Sequence, residues 1–291
     1  MSAPTSPGST VSGPSAQSAS DTALIRASKK RLPRSEHLIL RIVRASLEEG
    51  LFDRAMRFCQ RTVGQAWIHH STKNLKQEYG LERSQILESP ESVIVVANHR
   101  SFFDLYVITA SLVRRGLPHR ILFPVRADFF FTSWLGLLVN FFMSFLSMYP
   151  PLYRQRERLA LNLASLDELG ALLRKRQLFV GLHPEGTRKL DDDPYTFLPA
   201  RPGVGRVIHE AGVRVVPVFI RGLKNDLWAQ VKGNFTGRGE PIRIVYGAPI
   251  DFGDLLAQPS SKKVQAAISE RCMAEIARLA EEERTLPTPF N

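Results

Sequence analysis

Cysteine is almost missing: Cys59 and Cys272 are the only two in 291 residues, and neither stands in a metal-ligand spacing. That excludes a disulfide framework and suits a reducing compartment. No charged n-region leads into an apolar h-region at the start, so no signal peptide is expected. A Walker-type phosphate loop is absent too. Gly203-Val204-Gly205-Arg206-Val207-Ile208 half-matches a dinucleotide fingerprint, but no strand precedes it and Ile208 occupies the third glycine position. His209-Glu210 lacks the second histidine of a zinc-protease helix, and the adjacent His69 and His70 cannot share a helix face. No metal or resident cofactor is therefore expected. Acidic residues are also in short supply, with 28 Asp and Glu against 39 Lys and Arg, a net charge of +11. The excess favours anionic partners: nucleic acid, an acidic membrane surface or a phosphorylated ligand. Nucleic acid is the weakest of these, because clusters such as Arg154, Arg156 and Arg158 come without an aromatic stacking platform or a reader motif.

Charge vanishes altogether between Asp128 and Arg154. The apolar run Phe129–Pro151 within that gap is long enough for a transmembrane helix, although Asn140 and several serines weaken that reading. Elsewhere three regions separate by composition. Residues 1–35 combine an uncharged Ser/Pro/Thr/Gly/Ala tail, Ser2 to Ser20, with a basic link from Arg26 to Arg34. Residues 36–75 read as an amphipathic helical hairpin. Leu38, Ile39, Ile42, Val43 and Leu47 share one face; after Gly50, Phe52, Met56, Cys59, Val63 and Trp67 share another, with Arg54, Arg57 and Arg61 off the stripe. Such stripes fit either a membrane interface or the protein's own core. Residues 76–291 alternate strands (Val93–Val96, Ile121–Val125, Leu178–Leu182, Val213–Ile220, Ile242–Tyr246) with helices (Leu105–Val113, Arg156–Arg176, Gly203–Ala211, Ser261–Glu283). That order argues for an α/β fold with a mixed, mainly parallel sheet flanked by helices.

The chemistry gathers where the first of those strands ends. Asn98 breaks the apolar run, and His99 falls in the crossover loop at the strand's carboxyl end, where open α/β sheets put their ligands. Ser101 stands where a helix N-cap belongs, and Asp104 in the first helical turn. On one continuous helix a separation of five would turn His99 and Asp104 about 140° apart. They meet only across a loop-to-helix joint. There the carboxylate can hold one imidazole nitrogen and leave the other as a general base. The plainer reading is a Ser101/Asp104 capping box with His99 an ordinary loop residue.

Asn98-His99-Arg100-Ser101-Phe102-Phe103-Asp104, followed after a later strand by Pro184-Glu185-Gly186-Thr187-Arg188, resembles the glycerolipid acyltransferase family, of the 1-acylglycerol-3-phosphate acyltransferase type. The first string carries the family's His-x4-Asp, the second its Pro-Glu-Gly-Thr-Arg, and Val216-Pro217-Val218 matches its final Val-Pro block. The arginine block between them departs: Arg154 is the equivalent arginine and Arg156 the reserve, with Tyr149-Pro150-Pro151 where a glycine usually leads in. His183 replaces the usual phenylalanine, and Lys189 a common serine.

The resemblance implies transfer of a fatty acyl group from acyl-CoA or acyl-carrier protein, as co-substrate, to a hydroxyl of a lysophospholipid such as 1-acylglycerol 3-phosphate. His99 and Asp104 would be catalytic, with backbone N–H groups near the two motifs as candidate oxyanion donors. Arg154 and Arg188 would hold a phosphate, Glu185, Gly186 and Thr187 would shape the acceptor site, and Ser101 and Pro217 would support it. Other acceptors, glycerol 3-phosphate or a lyso-aminolipid among them, and a non-catalytic basic peripheral membrane protein are the alternatives. A single crossing by Phe129–Pro151 would put His99 and Glu185 on opposite sides of a bilayer. That segment is therefore expected to lie in the membrane or roof an acyl pocket without spanning, giving a monotopic or peripheral protein on the cytoplasmic side.

Overall fold

The computed structural model describes residues 22–223 and 226–287. Among them, seven strands form one sheet: β1 Lys76–Tyr79, β2 Val93–Ala97, β3 Arg120–Arg126, β4 Met148–Leu152, β5 Leu178–Leu182, β6 Arg214–Arg221 and β7 Ile242–Tyr246. Their order across the sheet is β1-β7-β6-β2-β5-β3-β4. β2 to β6 run parallel, and the one antiparallel pairing, β6 with β7, turns the β7/β1 edge the other way. The sheet is mixed and mainly parallel, as the alternation of strands and helices implies.

The helices are α1 Ala23–Arg31, α2 Arg34–Ala45, α3 Leu51–Cys59, α4 Gln65–Thr72, α5 Leu81–Ser84, α6 Asp104–Arg114, α7 Ala127–Phe130, α8 Trp134–Ser144, α9 Leu159–Lys175, α10 Pro202–Ala211, α11 Leu227–Thr236 and α12 Lys262–Thr285. They cover both faces, which is what a parallel sheet of fully apolar strands requires. One face packs α1, α2, α9, α10 and α12 into a core with Ile94, Val96, Val180 and Phe219. The other packs α4 and α6 on Val93, Val95, Phe179 and Val218. β2 is central and all five of its residues are buried. Each buried valine or isoleucine there contributes roughly 1.5–3 kcal/mol, so the strand that carries His99 at its exit is firmly fixed.

Asn98 ends that strand for a physical reason. Its side chain donates to the Ile220 carbonyl at 2.8 Å and accepts from the Ile220 N–H at 2.9 Å. The amide replaces a ladder rung and frees the backbone to turn away. In β6 the carbonyl of Pro217 points to Gly247 N–H at 2.9 Å, toward the β7 side. The ring nitrogen of Pro217 faces the same way, so proline in an interior strand costs no bond to β2.

Three expectations need correction. The basic segment Arg26–Arg34 is no mere link. Most of it is α1, whose Leu24 and Ile25 are buried while Lys29, Lys30 and Arg31 sit at the C-terminal end, where a helix dipole favours them. The tail Ser2 to Ser20 lies outside the described residues. Second, residues 36–75 pack on the protein's own core, one of the two readings left open, but not as a hairpin. α2 buries Ile39, Leu40 and Val43 on one side of the sheet and α4 buries Ile68 on the other. α3 passes between them beneath the N-terminal ends of the strands. There Asp53 meets Arg57 (3.3 Å), Arg120 (3.5 Å) and Arg176 (2.9 Å), and Gln60 accepts from the Ile121 N–H at 3.0 Å.

Third, Phe129–Pro151 is neither one helix nor simply a helical pair. It holds the second half of α7, all of α8 and then most of β4, an edge strand beside β3 that tolerates two prolines. No helix of the described residues is long and apolar enough to cross a membrane. α8 has 11 residues, roughly 16 Å against a hydrocarbon core of about 30 Å. Its largest apolar side chains mostly face outward. Its buried residues are Gly136, Asn140 and Ser144, while Trp134, Leu135, Leu138 and Phe142 are exposed. Asn140 earns its interior place by donating to the Met148 carbonyl and accepting from the Met148 N–H and the Ser144 hydroxyl.

Candidate active site

β2 and β5 run side by side in parallel, Val96 opposite Leu182, so the loops after them leave at the same end of the sheet. That brings the two motif strings together. The Glu185 carboxylate accepts from the His99 N–H at 2.8 Å with one oxygen and from the Leu198 N–H at 2.8 Å with the other. Lys189 N–H donates to the His99 carbonyl at 3.0 Å. Glu185 is 1% exposed with both oxygens engaged, so it clamps the two loops and does not face a ligand. Gly186 makes the turn: its φ is +68° and its N–H donates to the His183 carbonyl. That backbone conformation is one glycine adopts at little cost.

The loop-to-helix joint has the form the sequence required. α6 begins at Asp104 with Phe103 at its cap position, not at Phe102 directly after a Ser101 cap. Ser101 is buried, and its hydroxyl accepts from the Phe103 N–H at 3.2 Å in a local turn. Asp104 reaches back instead. One carboxylate oxygen accepts from the backbone N–H of Arg100 and of Ser101, each at 2.8 Å, and stands 3.3 Å from His99 Nδ1. A carboxylate there fixes the proton on Nδ1 and leaves Nε2 as the basic nitrogen.

His183 adds what the motif reading did not use. Its ring lies against that of His99, centroids 3.8 Å apart and planes within 8°. Its Nδ1 is 2.9 Å from the Ala97 carbonyl, which can only accept, so that nitrogen carries the proton. Two charged rings so close would repel by about 4 kcal/mol at an effective dielectric of 20, so at most one holds an extra proton. Burial, then His99 beside it, pushes His183 down to about 3. Burial and then Arg188 push His99 down to about 4. Burial raises the Asp104 carboxyl to about 6, against the pull of His183 and of the Ser101 and Arg100 N–H groups. At neutral pH the carboxylate is therefore charged and both rings are neutral.

Ligating atoms of His99, Asp104 and His183 lie within 4.8 Å of one another, a spacing a metal ion could bridge. The stack argues against it. Ring lone pairs lie in the ring planes, and one ion cannot lie in the planes of two rings stacked face to face. Both Nδ1 atoms are also turned to oxygen acceptors. The residues do not fit a metal.

The remaining sequence candidates fall at the same end of the sheet but at different distances. Thr187 and Arg188 share the β5 loop with Glu185. Arg154, exposed, follows β4. Three strand spacings separate β4 from β2, roughly 14 Å. Arg156 is farther along, in a short 3₁₀ turn at Arg156–Arg158. Nearer than either is Arg126, which sequence reasoning missed. It ends β3, one strand from β5, and its guanidinium donates to the Thr187 hydroxyl at 3.1 Å. The sequence reading stopped that strand at Val125, one residue short; a cation at a parallel strand's carboxyl end was the signal available. The expected backbone oxyanion donors are largely occupied. N–H groups of His99, Arg100, Ser101, Gly186 and Lys189 all donate within the protein.

Beside the site an apolar cavity opens between α4, α6 and α8. Trp67, Phe102, Phe103, Tyr106, Phe130 and Met143 line about 310 Å³ of it, part of that open to solvent. A second chamber of about 350 Å³ shares Tyr106 and Met143 and continues to Ile68 and Phe123.

The chain belongs to the acyltransferase family, whose model matches residues 70–221. It is similar to a 1-acyl-sn-glycerol-3-phosphate acyltransferase of Chlamydomonas reinhardtii, 26% identical over 240 residues. That match covers 80% of this chain and 65% of the relative, so the chain spans less than two thirds of the algal protein's length. In fold it resembles the crystal structure of PlsC, the 1-acyl-sn-glycerophosphate acyltransferase of Thermotoga maritima. The TM-score is 0.50 at 18% identity, over 91% of this chain and 88% of that one.

Proposed function

We propose that the protein transfers a fatty acyl group from the thioester of acyl-CoA or acyl-carrier protein to the hydroxyl of a lysophospholipid such as 1-acylglycerol 3-phosphate, giving phosphatidate. The reading rests on one observation above the others: a neutral imidazole held by a buried carboxylate at the exit of the central strand.

His99 Nε2 takes the acceptor's hydroxyl proton as the oxygen attacks the thioester carbonyl carbon. Asp104 stabilises the imidazolium that forms. The tetrahedral adduct collapses, the C–S bond breaks, and the thiolate recovers the proton from His99, leaving ester and thiol. Neither motif offers a serine or cysteine in a nucleophile setting, so transfer is direct. Arg126, Arg154 and Arg188 fringe the same end of the sheet and suit an acceptor phosphate. Glu185 and Gly186 shape the acceptor side by fixing the loops, not by touching it. The acyl chain occupies the cavity beside Phe102 and Phe103, and each methylene buried there is worth about 0.8 kcal/mol. The apolar face of α8 rests on the membrane surface from which both lipids come.

The test is purified full-length protein with labelled acyl-CoA and a panel of lyso-lipids and glycerol 3-phosphate in mixed vesicles, read by mass spectrometry. One acyl chain should pass to a phosphate-bearing acceptor, and His99→Ala should lose at least about a thousandfold in rate with its circular dichroism unchanged. Turnover by His99→Ala within about tenfold of the parent would sink the mechanism.

A further inference from the structure

We propose that His183 is a positioning residue for His99: its ring, pinned to the Ala97 carbonyl, is the wall that sets the plane of the His99 imidazole and shields its inner face from water. This rests on the reading of His99 as the base.

Asp104 alone leaves the imidazole under-determined. A single hydrogen bond of 3.3 Å at Nδ1 selects the tautomer but lets the ring tilt about that contact. The acceptor's oxygen must meet Nε2 within hydrogen-bond reach, so the direction of Nε2 matters as much as its charge. The second constraint is the stack, 3.8 Å between centroids and 8° between planes. His183 can serve as a fixed surface because it is itself held: Nδ1 is 2.9 Å from the Ala97 carbonyl, one rung below Asn98 on the central strand. Carboxylate and wall thus divide the task, one choosing the proton's place and the other the lone pair's aim.

Several charged or titratable groups face His99. Arg100 comes from its own loop and Asp104 from α6. The β5 loop brings His183, Glu185, which accepts from the His99 backbone, and Arg188, which disfavours a charged ring. Of these, His183 is the one stacked on the imidazole face. Burial is the largest cause of the weak proton affinity of His99. Taking the wall away lets water reach the ring and restores that affinity.

The experiment compares wild type, His183→Ala and His183→Phe, the last keeping a flat ring without nitrogen. Histidine-selective ¹⁵N labelling reads the His99 tautomer and titration by NMR, independently of turnover. In His183→Ala the His99 titration should move up by about one pH unit or more. Its kcat should fall about tenfold or more while KM for either substrate stays within about twofold. His183→Phe should bring titration and kcat most of the way back. A His99 titration in His183→Ala that overlays the wild type would overturn the proposal. So would a folded His183→Phe as impaired as His183→Ala. A shifted titration with unchanged turnover would uphold the wall and count against His99 as the base, which separates the two failures.

Discussion

A carboxyl group withdrawn from water and still required to be charged has two measurable consequences. The proposed mechanism needs Asp104 ionised and His99 neutral, and the Asp104 carboxyl sits at about 6 because burial raises it. The rate should therefore fall as pH drops through about 6, with one proton entering the pair, and kcat/KM measured from pH 5 to 8 checks it. Stability runs the opposite way. A folded-state value above the unfolded 3.8 means that this group's contribution is fully favourable below 3.8 and is lost as pH rises through about 6. Asp104→Asn removes that penalty. Its melting temperature relative to wild type should be higher at pH 7.5 than at pH 4.5, while acyl transfer is lost at both; a difference that shrinks with rising pH would contradict the assignment. His99, Asp104 and the Glu185 string were legible in the sequence because strand, loop and first helical turn are each marked by their own residue types. The His99–His183 stack was not, because it depends on the register of β2 with β5, which no local pattern encodes. Arg126 was missed by one residue of strand length.

At the scale of elements, α8 carries the strongest expectation. Its exposed face, Trp134, Leu135, Leu138 and Phe142, is apolar, while its fully buried residues are small or polar, with Leu137 and Phe141 half-buried against the core. Leu135→Glu with Phe142→Glu should weaken sedimentation with anionic vesicles by about tenfold or more without lowering the melting temperature, because neither side chain is part of the core. A melting temperature that falls with binding intact would mean that the face packs on protein instead. The same segment shows why two strands were illegible. β4 reads as apolar and proline-bearing, so hydropathy alone merges it with α8; pairing with β3 along the sheet edge is what makes it a strand. β1, Lys-Gln-Glu-Tyr, is half-buried at the opposite edge and has none of the β-branched residues that mark β2 or β6. The other five strands are interior or nearly so, and interior strands advertise themselves by uninterrupted apolar runs.

Taken whole, the molecule is closed by its own beginning. α2 lies on one face, α4 on the other and α3 beneath, with Arg44 of α2 bonded to Glu168 of α9 at 2.5 Å and Arg176 bonded to Asp53 at 2.9 Å. The region matched by the acyltransferase family starts at residue 70 and stops at residue 221, before β7 and α12 and after α2 and α3. A gene trimmed to those limits would yield a slab stripped on both sides, without α1, α2 and α12 over one core and most of α4 over the other. Such a fragment should be recovered from cells only in inclusion bodies, whereas a version starting at Thr22 should stay in the supernatant or with the lipid pellet, as fractionation and immunoblotting would report. The span of the family match is thus narrower than the packed molecule, and anyone trimming this chain for crystals should cut outside the girdle, not along the motif.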